Sequence, residues 1–192
     1  MGWDDYLEQT KGLGPNDLLQ EALTYVKIYQ SALDLGGGNL RDASLLIKKG
    51  FHVTVIDSNP TVSALSKQFP EQFLEVFIER FDEHIFPART YDLVNAQYSL
   101  PFTPPVTFKD LWIDIVQSMR PNAIFTGQFF GNEDGWSEKD DMTFHEQKDV
   151  EGLFERFKII KFQEEKGIRP TASGKQKHWH VFHLIARLRD VT

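Results

Sequence analysis

A chain of 192 residues, 41% hydrophobic and with 16 Phe, has the material for one sizeable core in a single domain spanning residues 1–192. Its formal charge of −7 argues against a nucleic-acid partner, which needs a basic face, and no apolar run reaches the roughly 18 residues of a membrane span. The lack of cysteine excludes disulfides, thiolate metal sites and cysteine nucleophiles; with no basic-then-apolar leader pattern at the N-terminus, a cytoplasmic location is expected.

In chain order, the turn Lys11-Gly-Leu-Gly-Pro15 precedes Leu18, Leu19, Ala22, Leu23 and Val26 at helical spacing, which predicts a helix to about Tyr29. Residues 31–35 form a short apolar strand, residues 40–49 a helix stopped by Gly50, and residues 51–57 a second strand. Ser58 or Asn59 caps a helix that starts near Pro60 and runs to about Phe69. Further strands are expected at residues 73–79, 91–97 and 123–130, with a helix at residues 107–119 between the last two. The strand at residues 123–130 is almost wholly apolar, as one covered on both faces should be. A polar loop over residues 131–142 leads to a helix at residues 146–157. Residues 158–165 and 177–188 have no helical pattern between them and are expected to form an antiparallel hairpin at a sheet edge. Strands alternating with helices, then a hairpin, describe a three-layer α/β sandwich.

The turn after the first strand carries Gly36, Gly37 and Gly38, where the missing Cβ lets backbone approach a ligand. Asp57 ends the next strand, placed to accept hydrogen bonds from both hydroxyls of a ribose. A dinucleotide motif would need a third small residue where Arg41 stands. The distance from Gly36 to Asp57 suits a dinucleotide or S-adenosylmethionine equally, and Asp34 tips the balance. Before a pyrophosphate, its carboxylate would meet like charge, whereas the methyl donor carries an ammonium and a sulfonium.

Four segments together resemble the class I S-adenosylmethionine-dependent methyltransferases across nearly the whole chain: Ala32-Leu-Asp-Leu-Gly-Gly-Gly-Asn-Leu40, Val55-Ile-Asp57, Tyr91-Asp-Leu-Val-Asn-Ala-Gln97 and Met119-Arg-Pro-Asn-Ala-Ile-Phe125. The short format and Gly127-Gln-Phe-Phe-Gly131 resemble the small bacterial enzymes grouped with tellurite-resistance methyltransferases. The resemblance implies a Rossmann-like, seven-stranded, mostly parallel sheet of order 3-2-1-4-5-7-6 with an antiparallel last strand. It implies S-adenosylmethionine as cofactor, its methionine end against Asp34, Gly36, Gly37 and Gly38, its ribose on Asp57, and Ser58 and Asn59 beside the adenosine. Phe81 falls where the family packs a side chain on adenine. Arg80 stands where the family usually has an acid reading the adenine amino group, so that contact passes to Asp82 or is lost. Asn95 faces the methionine end, Gln97 and Tyr98 lie close to the transferring methyl, and residues 1–14 stand where related enzymes have a lid over the cofactor, though the residues alone equally support a loose terminus packed by Trp3 and Tyr6.

Methyl transfer is an in-line displacement in which the protein aligns two partners and excludes water. Tyr98 opens a loop of aromatics and prolines running to Pro105, a rigid apolar wall whose rings attract a sulfonium. Gln128 is polar inside an apolar strand and either bonds a neighbouring loop or faces the substrate. His145 begins a helix, as a cap or as a general base. In the run Lys177-His-Trp-His-Val-Phe-His183, strand alternation puts His178 and His180 on one face and Trp179, Val181 and His183 on the other. His180 is the expected substrate-facing imidazole, and no metal site is expected. The expected function is therefore methyl transfer to a small-molecule acceptor, a metalloid oxyanion or a thiol, oxygen or nitrogen nucleophile, by a monomer or homodimer. The rivals are an NAD(P)-linked oxidoreductase and a cofactor-binding regulator without catalysis.

Overall fold

The computed structural model describes residues 3–190. Helices α1 (Trp3–Gln9) and α2 (Asp17–Leu23) precede β1 (Ser31–Leu35), α3 (Arg41–Lys48), β2 (His52–Asp57), α4 (Thr61–Ser66) and β3 (Leu74–Ile78). Then come β4 (Tyr91–Ala96), α5 (Pro105–Ser118), β5 (Met119–Gly131), the two-residue β6 (Phe144–His145), α6 (Gln147–Leu153), β7 (Phe157–Pro170) and β8 (Gln176–Leu188). All eight strands join one sheet of order β3-β2-β1-β4-β5-β8-β7, with β6 beside β5. Strands β1 to β5 run parallel, β8 lies antiparallel to β5, and β7 closes the hairpin against β8. With β6 set aside, this is the expected Rossmann-like order 3-2-1-4-5-7-6. Strand β6, the one beyond the expected seven, is a short bridge that pins the start of α6 to the end of β5.

Burial explains the layering. Every residue of β4 is buried, and β5 is buried from Ala123 to Gly131, because helices cover both faces. One face packs Leu33, Leu35, Val94, Phe125 and Phe129 against Trp112 of α5 and Phe154 after α6. The other packs Val55, Ile124 and Ile185 against Leu19 of α2 and Leu46 of α3. Trp112 contacts the rings of Phe125, Phe129 and Phe154 at 5.1–5.6 Å and donates its indole N–H to the Leu153 carbonyl.

Several element ends differ from expectation. Helix α2 stops at Leu23 rather than Tyr29: the Thr24 hydroxyl donates to the Glu21 carbonyl at 2.7 Å, and the chain turns while Val26 still reaches the core. Helix α5 starts earlier, at Pro105, since Pro104 and Pro105 fit the positions where a helix needs no amide. Strand β5 begins at Met119, its pairing with β4 interrupted by an irregularity near Asn122, which takes a left-handed φ of 67°. Helix α6 spans only Gln147–Leu153, its start set by a reciprocal cap between Glu146 and Asp149. The hairpin is longer than expected in both strands.

Candidate active site

The glycine turn leaves the carboxyl end of β1. Gly36 and Gly38 have φ of +79° and +50°. A Cβ on Gly36 would sit 2.6 Å from the Ser99 Cβ, and one on Gly37 2.4 Å from the Val55 Cγ1, so close packing as well as φ demands glycine here. At the end of β2, the Asp57 Oδ2 accepts the Gly38 amide and its Oδ1 accepts the Asn59 amide, both at 2.9 Å. Asn59 is buried and its Oδ1 accepts the Thr61 amide at 2.9 Å, starting α4; Ser58 is exposed.

Beneath the turn lies a chain of buried amides and acids. The Asn95 side-chain amide donates to Asp34 Oδ1 at 2.8 Å and to Asp42 Oδ2 at 3.2 Å. Asn16 holds Asp42 from the other side, through its backbone at 2.8 Å and its side chain at 2.7 Å. Burial, then the Asp42 carboxylate, push the Asp34 pKa up to about 8, against the Asn95 hydrogen bond. Asp34 Oδ2 is buried without a hydrogen-bond partner among the described residues. Gln97 donates to Asn95 Oδ1 at 2.9 Å and accepts from Gln128 at 2.9 Å. Gln128 Oε1 in turn accepts the Tyr98 amide at 2.9 Å, which holds that tyrosine at a left-handed φ of 56°. Of the two roles open to Gln128, bonding the neighbouring loop is the one its carbonyl fills.

Phe81 is half-buried, its ring edge 3.7 Å from where a Gly36 Cβ would stand. Arg80 is exposed and forks onto Asp82 with two bonds of 2.9 Å, so both Asp82 oxygens are engaged by the guanidinium. Helix α1 lies over the turn: Leu7 and Tyr6 approach a Gly38 Cβ position at 3.7 and 4.0 Å, and the Asn39 amide donates to the Leu7 carbonyl and the Thr10 hydroxyl, each at 2.7 Å. Burial raises the Tyr6 pKa, with Arg41, Asp42 and Asp57 facing the same phenol. Met1 and Gly2 of the expected lid lie outside the described residues.

Beyond β4, Tyr98 joins an aromatic wall with Phe130 and Trp179 at ring separations of 6.4 and 6.2 Å. A buried ion pair that the sequence reading missed braces this wall. Lys177 bonds Asp134 at 2.6 Å, and its ammonium lies 3.5 Å from the Trp179 ring centroid and 3.9 Å from that of Trp136. The signal available was alternation along β8, which puts Lys177 and Trp179 on one face.

The three expected catalytic side chains are not brought together. Tyr98 is at the wall. His145 stacks on Phe108 and Phe129 at 4.9 and 5.7 Å, in the core on the α5 side, and burial lowers its pKa to about 4. His180 shares that side with Phe182: its Nδ1 accepts the Glu133 amide at 3.2 Å and its Nε2 donates to Glu164 at 2.9 Å. One nitrogen of His180 thus braces the loop after β5 and the other bonds β7, so both are engaged within the protein, which differs from its expected substrate-facing role. His183, on the opposite face, is the imidazole beside Tyr98, at 6.3 Å between rings.

No protein-family model and no curated protein sequence matches the chain. Solved structures do. An S-adenosylmethionine-dependent methyltransferase from Methanosarcina mazei is 17% identical, with a TM-score of 0.68 over 92% of this chain and 99% of that one. TehB from Haemophilus influenzae is 14% identical, with a TM-score of 0.69 over 97% of this chain and 62% of that one. The 1,6-didemethyltoxoflavin-N1-methyltransferase of Burkholderia thailandensis, solved with 1,6-didemethyltoxoflavin and S-adenosylhomocysteine, is 17% identical, with a TM-score of 0.66 over 97% of this chain and 85% of that one. At such identities the likeness establishes the fold: the chain is built as the class I S-adenosylmethionine-dependent methyltransferases are.

Proposed function

We propose that this chain, built on the methyltransferase fold, binds S-adenosylmethionine and transfers its methyl group to a small-molecule acceptor. One observation carries the reading. The buried Asp34 carboxyl, sharing the Asn95 amide with Asp42 and keeping one oxygen unpartnered, is a place for a cation and not for a pyrophosphate. That disfavours the nicotinamide alternative.

The residues fit the donor at each part. Asp34 and Asp42 would face its ammonium, the Gly36–Gly38 backbone its methionine chain, and Phe81 the adenine face. Asp57 spends one lone pair of each oxygen on an amide and keeps others for ribose hydroxyls. Arg80 is turned to Asp82 and does not itself offer an acceptor to the adenine amino group. When bound, the donor supplies an electrophilic methyl on a sulfonium. The chain's own work is to align the acceptor and keep water out, the first worth as much as ~7–11 kcal/mol. Tyr98, Phe130 and Trp179 supply the apolar wall, Gln97 and Gln128 fix Tyr98, and α1 serves as the lid over the glycine turn. The net charge of −7 and the small-molecule acceptor of one similar structure support a small acceptor here as well.

Calorimetry with S-adenosylmethionine, S-adenosylhomocysteine and NAD tests the reading. Micromolar association with the first two and none with NAD is expected; heat from NAD alone overturns it. Cofactor binding without turnover across a broad acceptor panel would move the chain to the regulator class.

A further inference from the structure

Between α2 and the terminal hairpin lies a cleft of about 190 Å³, lined by Asp17, Glu21, Lys161, Gln163, Glu165 and His183. It opens on the sheet face that carries Gln128. His183 pairs across the sheet with Gln128 of β5 on one side and with Gln163 of β7 on the other, and Gln128 bonds Gln97 at the end of β4. His183, at the inner border of the cleft, therefore stands two strands, roughly 10 Å along the sheet, from Gln97. The Tyr98 ring stands edge-on to the His183 imidazole, 6.3 Å between ring centres.

His183 is poised in one tautomer. Its Nε2 lies 3.0 Å from Glu165 Oε2, and a carboxylate can only accept, so the proton sits on Nε2 and the lone pair on Nδ1. Nδ1 makes no hydrogen bond among the described residues. Glu165 is itself fixed by Arg169 at 2.6 Å. Burial lowers the His183 pKa, Glu165 opposes, and Arg169 and Lys161 add to the lowering, which favours the neutral ring. Lys161 is bonded to Glu21 at 2.5 Å, which leaves Asp17 as the carboxylate of the cleft with no ion pair among the described residues. Such a lining repels oxyanions and receives donors.

We propose that this cleft seats a small amine as the methyl acceptor and that His183, oriented by Glu165, takes the proton the amine gives up. The step rests on the methyl-transfer reading. The acceptor nitrogen's lone pair forms the new nitrogen–carbon bond as the carbon–sulfur bond breaks, its electron pair staying on sulfur. The proton shed by that nitrogen goes to His183 Nδ1, and Glu165 balances the imidazolium.

Two measurements on the full chain separate this proposal from the reading beneath it. Failure to bind S-adenosylmethionine or S-adenosylhomocysteine overturns methyl transfer, and this proposal with it. Independently, the protein is titrated with ethanolamine, benzylamine and histamine, and with benzoate and tellurite, while NMR follows the His183 Hε1 resonance assigned by its loss in His183→Gln. At least one amine is expected to shift it and neither anion is; a shift by anions alone, or by no amine, overturns the cleft assignment with the donor site intact. With the amine that binds and methyl-labelled donor, His183→Gln is expected to lose roughly 100-fold or more in kcat while donor Kd stays within about twofold. Glu165→Gln is expected to move the acid limb of the kcat/KM profile to lower pH. Unchanged turnover in His183→Gln, or an amine bound but not methylated, overturns the proposal.

Discussion

The Asp57 carboxylate accepts the Gly38 amide at 2.9 Å across 19 residues of chain, so the end of β2 holds the shape of the turn after β1. The acid expected only to meet a ribose also builds the turn that would meet the methionine chain. Asp57→Ala is therefore expected to act twice. Donor affinity should fall roughly 10- to 100-fold, the worth of hydrogen bonds to a charged acceptor, and the ligand-free protein should lose about 1–2 kcal/mol from its two orphaned amides. Calorimetry and urea denaturation read the two effects, and unchanged affinity would refute the ribose assignment.

Asp34 titrates near 8 in the fold against an ordinary 3.8. The folded state binds that proton more tightly than the unfolded chain, so the stabilisation is complete below pH ~4 and disappears as pH rises to about 8. Melting temperature between pH 5 and 8 should consequently fall more in the wild type than in Asp34→Asn. A cationic donor favours the ionised acid, so binding at pH 7 should release a proton, seen as a dependence of binding heat on buffer ionisation enthalpy. Equal heats in phosphate and Tris would count against the Asp34–ammonium contact.

Gln128→Leu removes the acceptor of the Tyr98 amide and the donor to Gln97 in a buried setting. The expected cost is about 1–3 kcal/mol in stability, with a loss of turnover larger than any loss of donor affinity, because Tyr98 is released from its left-handed backbone. A variant with wild-type kcat would show that Tyr98 keeps its place without the glutamine.

Asp134→Ala strands the Lys177 ammonium among Phe130, Trp136 and Trp179, and it also removes the acceptor of the Trp136 and His180 amides. Breaking a buried pair from one side costs about 3–5 kcal/mol, whereas Lys177→Met with Asp134→Asn should recover much of that. Denaturant midpoints of the single and double variants decide it.

Much of this was legible in the sequence for physical reasons. Residues 123–130 of β5 are almost wholly apolar and bounded by turn residues, which makes that strand readable without context. Gly36 to Gly38 and Asp57 stood out because a sharp turn and a strand-end acid have few other uses together. Alternation along β8 correctly grouped His178 with His180 and Trp179 with His183. Which of those groups lies beside Tyr98 depends on how β8 is laid against β5, and a shift of one residue inverts the answer. The link from Asn95 to Asp42 joins residues 53 positions apart on a strand and a helix, a proximity no local pattern carries. Helix α2 ended early because Thr24 offers its carbonyl neighbour a side-chain bond, a competition that apolar periodicity does not register.

Strand β7 borders the sheet, bonded to β8 on one side. Its outer backbone is a ready template for a strand from another molecule, the usual start of self-association. Lys158, Glu164, Lys166, Arg169 and Pro170 are all exposed along it, so an incoming chain meets hydrated charge of both signs and, at the tip, a residue with no amide to offer. Those charges flank the exposed Ile159 and Ile168 and set hydration against the pull of the two apolar side chains.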